Sequence, residues 1–344
     1  MYTDFYGLTE RPFQLTPDAR FWFDSRTHKK ALAYLGYGLA QGEGFIVITG
    51  EVGAGKSTLV EHLKAGIDRE RLNAVSLVSS QVGGDDILRL AAQGLGLASE
   101  GLAKAQLLDR IERRFGEEAA RGRRTLLIVD EAQCLSIEAL EELRMLSNFQ
   151  SQGRALVQIL LLGQPEFRDR LAGPGLEQLR QRVIASHHLD AIEANEVEPY
   201  VVHRLQIAGW QGRPGFAPDA WAALHRHSGG IPRRLNQIAN RLLLFASIEQ
   251  METVDADAVD SVAAEMVGDA AAPAAAEERV LPLRSVPSSQ PAQPAQRDHD
   301  VERRVAELES RLEQQEAAIR RVLTLLVDWV EKAEQAPGYR TNAA

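Results

Sequence analysis

Gly50, Gly55, Lys56 and Ser57 stand at the spacing G-x-x-x-x-G-K-[ST], inside the stretch Gly50-Glu51-Val52-Gly53-Ala54-Gly55-Lys56-Ser57-Thr58. Glycines let a backbone curl until its N–H groups point at one anion. Lys56 can reach the outer phosphates of a nucleotide, and the Ser57 hydroxyl can ligate Mg²⁺. An apolar run, Phe45 to Thr49, precedes the loop as a buried strand, and a helix from about Ser57 to Ala65 follows it. That helix offers its positive end to the same phosphates. Residues 50–58 are therefore expected to bind ATP.

A second cluster is acidic. Thr125 to Val129 reads as an apolar strand that closes on Asp130-Glu131. Downstream of a phosphate loop, Asp130 would hold the Mg²⁺ shell and Glu131 would orient and deprotonate the attacking water. A solvated acid pair at a strand end is the plainer alternative. The next strand, Ala155 to Leu162, ends in Gly163-Gln164-Pro165-Glu166, where Gln164 is either a sensor of the terminal phosphate or an ordinary turn amide. A short helix, Gly175 to Arg182, carries Arg180 and Arg182 before the strand Val183 to Leu189. An arginine there either pairs on the surface or projects into a neighbouring subunit's nucleotide, since its planar fork suits phosphate oxygens. In Gly229-Gly230-Ile231-Pro232-Arg233-Arg234, Pro232 suits a helix's first turn. A cation at that end is disfavoured by the helix dipole unless an anionic ligand or a carboxylate offsets it. His187 and His188 are adjacent on a strand and face opposite ways, a poor geometry for a shared metal.

These groups must be positioned by the rest of the chain. At 344 residues, two domains and an appendage are expected. The apolar fraction of 44% and charged fraction of 25% are those of a globular protein. A net charge of −9 weighs against a role in coating nucleic acid. Cys134 is the lone cysteine, so no internal disulfide can form, as suits a reducing compartment. The start, Met1-Tyr2-Thr3-Asp4, lacks an export pattern, and no run approaches the ~20 apolar residues of a membrane span. A cytoplasmic location is expected, reaching the inner membrane only through partners.

Residues 1–44 hold nearly half of the aromatics and read as a segment packed on the core, with Pro12-Phe13 a candidate wall of the adenine pocket. Thr27 to Ala40 reads as a helix, Ala74 to Val78 as a strand, and Asp85 to Leu97, Ala103 to Arg121 and Ser136 to Gln150 as helices. From Ile192 the strand signals stop. Helices at Ala194 to Ala208, Pro218 to Arg226, Pro232 to Glu249 and Ala256 to Met266 suggest a small all-α domain. The expected division is an N-terminal segment 1–44, a nucleotide-binding domain 45–191 and a helical lid 192–267. Pro273, Pro282, Pro287, Pro291 and Pro294 mark 268–299 as an extended linker. Over 300–335, Val305, Leu312, Ile319 and Leu326 form one heptad seam and Val301, Leu308, Gln315, Val322 and Trp329 the other, which predicts a coiled coil.

Taken together, the phosphate loop, acidic pair, polar residue after the fourth strand, arginine before the fifth and helical lid resemble an AAA+ ATPase over about residues 1–267. The opening Phe5-Tyr6-Gly7-Leu8-Thr9-Glu10-Arg11-Pro12-Phe13, with Asp130-Glu131-Ala132-Gln133 and Gly163-Gln164-Pro165-Glu166, resembles the A-type ATPases of general secretion systems. Within these the chain is most similar to the ATPase of the PEP-CTERM/exosortase system, encoded beside exopolysaccharide genes. The resemblance implies an α/β fold, a parallel five-stranded P-loop sheet of order 5-1-4-3-2 with an all-α lid. It implies Walker A roles for Lys56 and Ser57, Walker B roles for Asp130 and Glu131, and sensor 1 for Gln164. Arg182 matches the arginine finger better than Arg180, and Arg233 matches sensor 2 with Arg234 its competitor. Homo-oligomers and envelope assembly partners are implied, the latter through the coiled coil. Secretion ATPases of this broad type often continue into a membrane span and a periplasmic wall-binding domain; from this sequence only a linker and a coiled coil are expected in their place. Three functions compete: an ATP hydrolase driving an envelope assembly, a nucleotide-switched scaffold with slow turnover, and a DNA-associated AAA+ protein of the transposition-helper type.

Overall fold

The computed structural model describes residues 2–14, 16, 18–78 and 83–271. The chain divides into Met1–Glu278 and Arg279–Ala344, and every described residue lies in the first unit. The expected coiled coil and nearly all of the expected linker lie outside the described residues.

Five strands form one sheet: β1 (Phe45–Gly50), β2 (Leu72–Val78), β3 (Arg124–Asp130), β4 (Val157–Gly163) and β5 (Val183–Leu189). All pairings are parallel, in the order β2-β3-β4-β1-β5. Read from the other edge this is the 5-1-4-3-2 order that the resemblance implied. Helices α1 (Tyr2–Tyr6), α2 (Arg26–Gln41) and α3 (Lys56–Gly66) precede β2. Then come α4 (Gly84–Gly94) and α5 (Lys104–Ala120) before β3, α6 (Ile137–Leu146) before β4, and α7 (Pro165–Ala172) and α8 (Glu177–Arg180) before β5. After β5 follow α9 (Ala194–Ile207), α10 (Pro218–Ser228), α11 (Pro232–Ile248) and α12 (Ala256–Ala271).

The central strands are apolar throughout because helices cover both faces of the sheet. Successive side chains alternate between two cores. Phe45, Val47, Leu127, Val129, Ile159 and Leu161 face one core, with Ile87, Ile111, Phe115 and Leu143 from α4, α5 and α6. Ile46, Ile48, Leu126, Ile128, Leu160 and Leu162 face the other, with Ala31 and Leu35 from α2 and Leu59 and Val60 from α3. This sandwich fixes the end of β1, where the phosphate loop begins.

Several elements differ from the sequence reading. Helix α6 stops at Leu146 rather than Gln150, because Phe149 turns back to pack on Phe115 at 6.4 Å between ring centroids. Gln150–Ser151 and Arg154–Ala155 then pair antiparallel around Gln152-Gly153, both at positive φ (52° and 73°). Helix α7, which the sequence reading lacked, starts with Pro165 at its first position. The unit after Ile192 is not purely helical: Gly215–Phe216 pairs parallel with Thr253–Val254.

Residues 1–44 do not pack as one segment on the sheet. Tyr2, Tyr6, Leu8 and Phe13 are buried in the core of α9–α12, together with Val201, Leu224, Leu242 and Val259. The Tyr2 hydroxyl donates to Asn240 Oδ1 at 2.7 Å, and Thr9 N–H donates to the Ala208 carbonyl at 2.9 Å. Of this stretch, α2 lies on the sheet and Trp22 packs against the same core. The chain's first residues thus belong structurally with its last described ones.

Candidate functional site

The phosphate loop leaves β1 at Gly50 and enters α3 at Lys56. Gly53 (φ +86°) and Gly55 (φ +102°) adopt a backbone that L side chains rarely take. Neither has room for one: a Cβ on Gly53 would lie 2.4 Å from Arg233 Cβ, and one on Gly55 would lie 2.7 Å from His28 Nε2. Gly55 caps α3 without any side-chain hydrogen bond, so the first amides of that helix are left for an anion. Ala54 is buried and anchors the loop in the core, whereas Glu51, Val52 and Ser57 are exposed and Thr58 lines the cavity beside them.

Lys56 is 7% exposed, and its Nζ donates to the carbonyls of Gly50 at 2.6 Å and Glu51 at 3.0 Å. Burial pushes its ammonium below lysine's usual range, while the carboxylates of Glu131, Asp130, Glu51 and Glu166 pull it back up. A buried cation held by carbonyls, above a ring of open amides, fits the phosphates of a nucleotide.

The acidic pair stands opposite. Ser57 Oγ donates to Asp130 Oδ2 at 3.3 Å, and Glu131 N–H donates to Asp130 Oδ1 at 2.9 Å. Glu131 itself takes a left-handed backbone (φ 54°, ψ 43°), a strained exit from β3 that turns its side chain toward β4. There Gln164 Nε2 donates to Glu131 Oε2 at 3.2 Å. Gln133 Nε2 donates to the same oxygen, and Gln133 Oε1 accepts the Gln164 amide at 3.1 Å. Gln133 was missed as a functional residue; its only signal was its place in the Asp-Glu-Ala-Gln stretch. Among the described residues no group of three or more His, Cys, Asp or Glu could hold a metal by itself. Ser57 and Asp130 are the side chains suited to Mg²⁺, an ion that usually takes few protein ligands beside substrate phosphates.

The lid meets the loop through Arg233. Its N–H donates to the Gly53 carbonyl at 3.1 Å, and its side chain lines the cavity over the loop. Arg234 is exposed and does not line that cavity. The turn before α11 is pinned to the exit of β5: Ile192 N–H donates to the Gly230 carbonyl at 2.8 Å, and a Cβ on Gly230 would lie 2.2 Å from the Ile192 carbonyl oxygen.

The cavity is about 320 Å³ and continues from the loop to an aromatic wall of Phe21, Trp22, Phe23 and Tyr200. Pro12-Phe13 is not that wall, because Phe13 is buried in the core of α9–α12. Pro12 instead offers its carbonyl to Arg204 Nε at 2.7 Å. The Arg204 guanidinium is 4.6 Å from the Phe21 ring centroid and lines the same cavity. Sequence reasoning also missed Arg204; nothing local marks an arginine inside an amphipathic helix.

Arg180 and Arg182 lie elsewhere. Val183 pairs with Phe45 at one end of β1, and Leu189 pairs with Gly50 at the other. Six residues of parallel strand, about 20 Å, separate Arg182 from its own phosphate loop. Arg182 Nη1 donates to Ser147 Oγ at 3.4 Å, and exposed Arg180 donates to the Ala172 carbonyl at 3.1 Å. The two histidines do face apart: His187 stacks on Tyr34 at 4.9 Å, and His188 Nδ1 lies 3.0 Å from Thr49 Oγ1.

Comparison with known proteins agrees with this geometry. The family model described as AAA domain matches residues 39–171. A general secretion pathway protein A of Aeromonas hydrophila is 40% identical over 247 residues, 72% of this chain and 45% of that protein. The chain therefore matches less than half the length of this relative. Among solved structures, the ORC2 protein of Aeropyrum pernix (ADPNP-ADP complexes) aligns with a TM-score of 0.54 at 16% identity, covering 74% of this chain and 71% of that one. The ORC1 protein of Aeropyrum pernix in complex with DNA aligns with a TM-score of 0.56 at 16% identity, covering 80% and 73%. At such identities the likeness is one of fold. No helix among the described residues is long and apolar enough to cross a membrane. The chain thus carries an AAA domain of the P-loop fold and is similar, over 247 residues, to a general secretion pathway protein A.

Proposed function

We propose that the protein binds MgATP and hydrolyses it, with residues 45–191 as the ATPase domain and 192–267 as its lid. The observation that carries this reading is the Glu131 carboxylate, held by Gln133 and Gln164 beside the Ser57–Asp130 pair. A carboxylate fixed there can orient water and take its proton. Mg²⁺, when bound, supplies charge neutralisation on the phosphate oxygens through Ser57 and Asp130. Lys56 and Arg233 add positive charge from the loop and the lid. Arg182 or Arg180, too far to serve its own loop, would complete the site of a neighbouring copy, which makes the working form a homo-oligomer.

In this reading the activity powers or regulates an envelope-associated secretion assembly from the cytoplasmic side. The 40% identity to general secretion pathway protein A supports it. The PEP-CTERM/exosortase and exopolysaccharide setting is the narrower form of the same reading, and the segment after 268 would be the recruiting arm. The test is Glu131→Gln. Turnover should fall by about 10²–10⁴, the usual contribution of a general base, while ATP affinity stays within about threefold. Unchanged turnover removes the hydrolase reading and leaves a nucleotide-switched scaffold.

A further inference from the structure

His28 belongs to none of the motifs that locate the phosphate loop, yet it lines the same cavity. It sits in the first turn of α2, whose N-cap is Ser25. Ser25 Oγ accepts the His28 N–H at 3.3 Å and lies 2.6 Å from His28 Nδ1. Ser25 is fully buried. If Nδ1 carried the ring proton, Ser25 Oγ would accept two hydrogen bonds. Its own hydrogen would then have no acceptor among the described residues, and a buried donor without a partner is strongly disfavoured. The hydroxyl therefore donates to Nδ1, and Nε2 carries the ring proton. Burial lowers the ring's pKa to about 4, with Asp24 opposing and His62 adding to the shift, so the imidazole is neutral at pH 7. Trp22 packs edge-on against the ring at 4.9 Å and stacks on His62 at 4.1 Å, which fixes the ring plane.

The remaining atom is Nε2. It makes no hydrogen bond among the described residues, although His28 is only 6% exposed. It lies against Gly55, 2.7 Å from where a Cβ on that glycine would stand. A nine-tenths buried, tautomer-locked donor is thus presented at the wall of the cradle. We propose that His28 Nε2–H donates a hydrogen bond to the nucleotide bound in this cavity. The proposal rests on the ATP reading above. It adds a neutral contact to the charged ones of Lys56 and Arg233, and so binds an acceptor without adding to the field on the phosphates.

The test titrates the full chain with ATP, ADP and adenosine by calorimetry. Beside the parent stand His28→Leu, which removes the donor, His28→Gln, which keeps an amide N–H near the Nε2 position, and Ser25→Ala, which unlocks the tautomer. Loss of one such bond should raise the ATP Kd about tenfold in His28→Leu. His28→Gln should recover most of that, and Ser25→Ala should fall between. If the acceptor is on the phosphates, ATP and ADP lose alike and adenosine is unaffected; if it is on the ribose or base, all three weaken. ¹⁵N-imidazole spectra of the parent should show the Nε2–H tautomer and a shift of that N–H on adding ATP. Equal ATP affinity in His28→Leu and the parent, or an Nδ1–H tautomer, would overturn the proposal while leaving the ATP reading intact. A parent that does not bind ATP would remove both.

Discussion

Replacing Gly53 with alanine tests how the lid is tied to the phosphate loop. The new Cβ would stand 2.4 Å from Arg233 Cβ and 3.1 Å from its Cδ. Carbon atoms rest at roughly 3.5–4.0 Å, so loop and helix must part by about 1 Å or more. That displacement breaks the 3.1 Å bond from Arg233 N–H to the Gly53 carbonyl, worth about 1 kcal/mol. A side chain at φ +86° adds about 1–2 kcal/mol of backbone strain. The total is roughly 2–3 kcal/mol, of which only the first part concerns the lid. Gly96→Ala isolates the second part, because Gly96 has φ +75° and nothing within 4 Å of its would-be Cβ. Urea denaturation of both variants should show Gly53→Ala about 1 kcal/mol less stable than Gly96→Ala. ATP affinity should fall about tenfold in Gly53→Ala alone, and the Arg233 amide should exchange faster with deuterium. Indistinguishable stability and affinity in the two variants would refute the reasoning, since strain would then explain everything and the contact nothing.

Two further outcomes follow from buried groups. His28 has a folded pKa lowered to about 4 from 6.5, so below pH 6.5 the unfolded chain binds a proton that the folded one refuses. Stability should therefore fall as pH drops from about 6.5 to 4, by up to about 3 kcal/mol, and His28→Gln should remove that slope; equal slopes in parent and variant would contradict it. Arg204→Met deletes the donors to the carbonyls of Pro12 and Gln14, and should loosen residues 2–14 from α9 at a cost of about 2–4 kcal/mol. Limited proteolysis with mass spectrometry should then find cleavage near the N-terminus, and unchanged resistance would show that the aromatic contacts alone hold it.

What the sequence made legible was local. The phosphate loop, the apolar strand before it and the strand ending in Asp130-Glu131 are each set by a handful of consecutive residues. Val183–Leu189 forms β5 with the bounds expected for it. What escaped reading depends on distance or on conformation. Gln133 joins the site only because Glu131 adopts a left-handed backbone, and no spacing rule encodes that. Two-residue pairings such as Gly215–Phe216 with Thr253–Val254 are too short to leave a period of two. Three members of the aromatic wall, Phe21, Trp22 and Phe23, fall in the stretch 1–44 where a wall was expected, but Pro12-Phe13 was the wrong pair within it and Tyr200 comes from α9. Phe13 and Phe21 look alike in composition, and only the packing of Phe13 between α-helical side chains separates them.

The bond from Tyr2 to Asn240 spans 238 positions of sequence. A ribosome adding about 5–20 residues per second would need roughly 12–50 s between making the first partner and making the second. During that interval the sheet can assemble while Tyr2, Tyr6 and Phe13 wait without their partners. The opening segment thus presents uncovered aromatic surface during synthesis, and the cavity over the phosphate loop is complete only once the helices after β5 have been made.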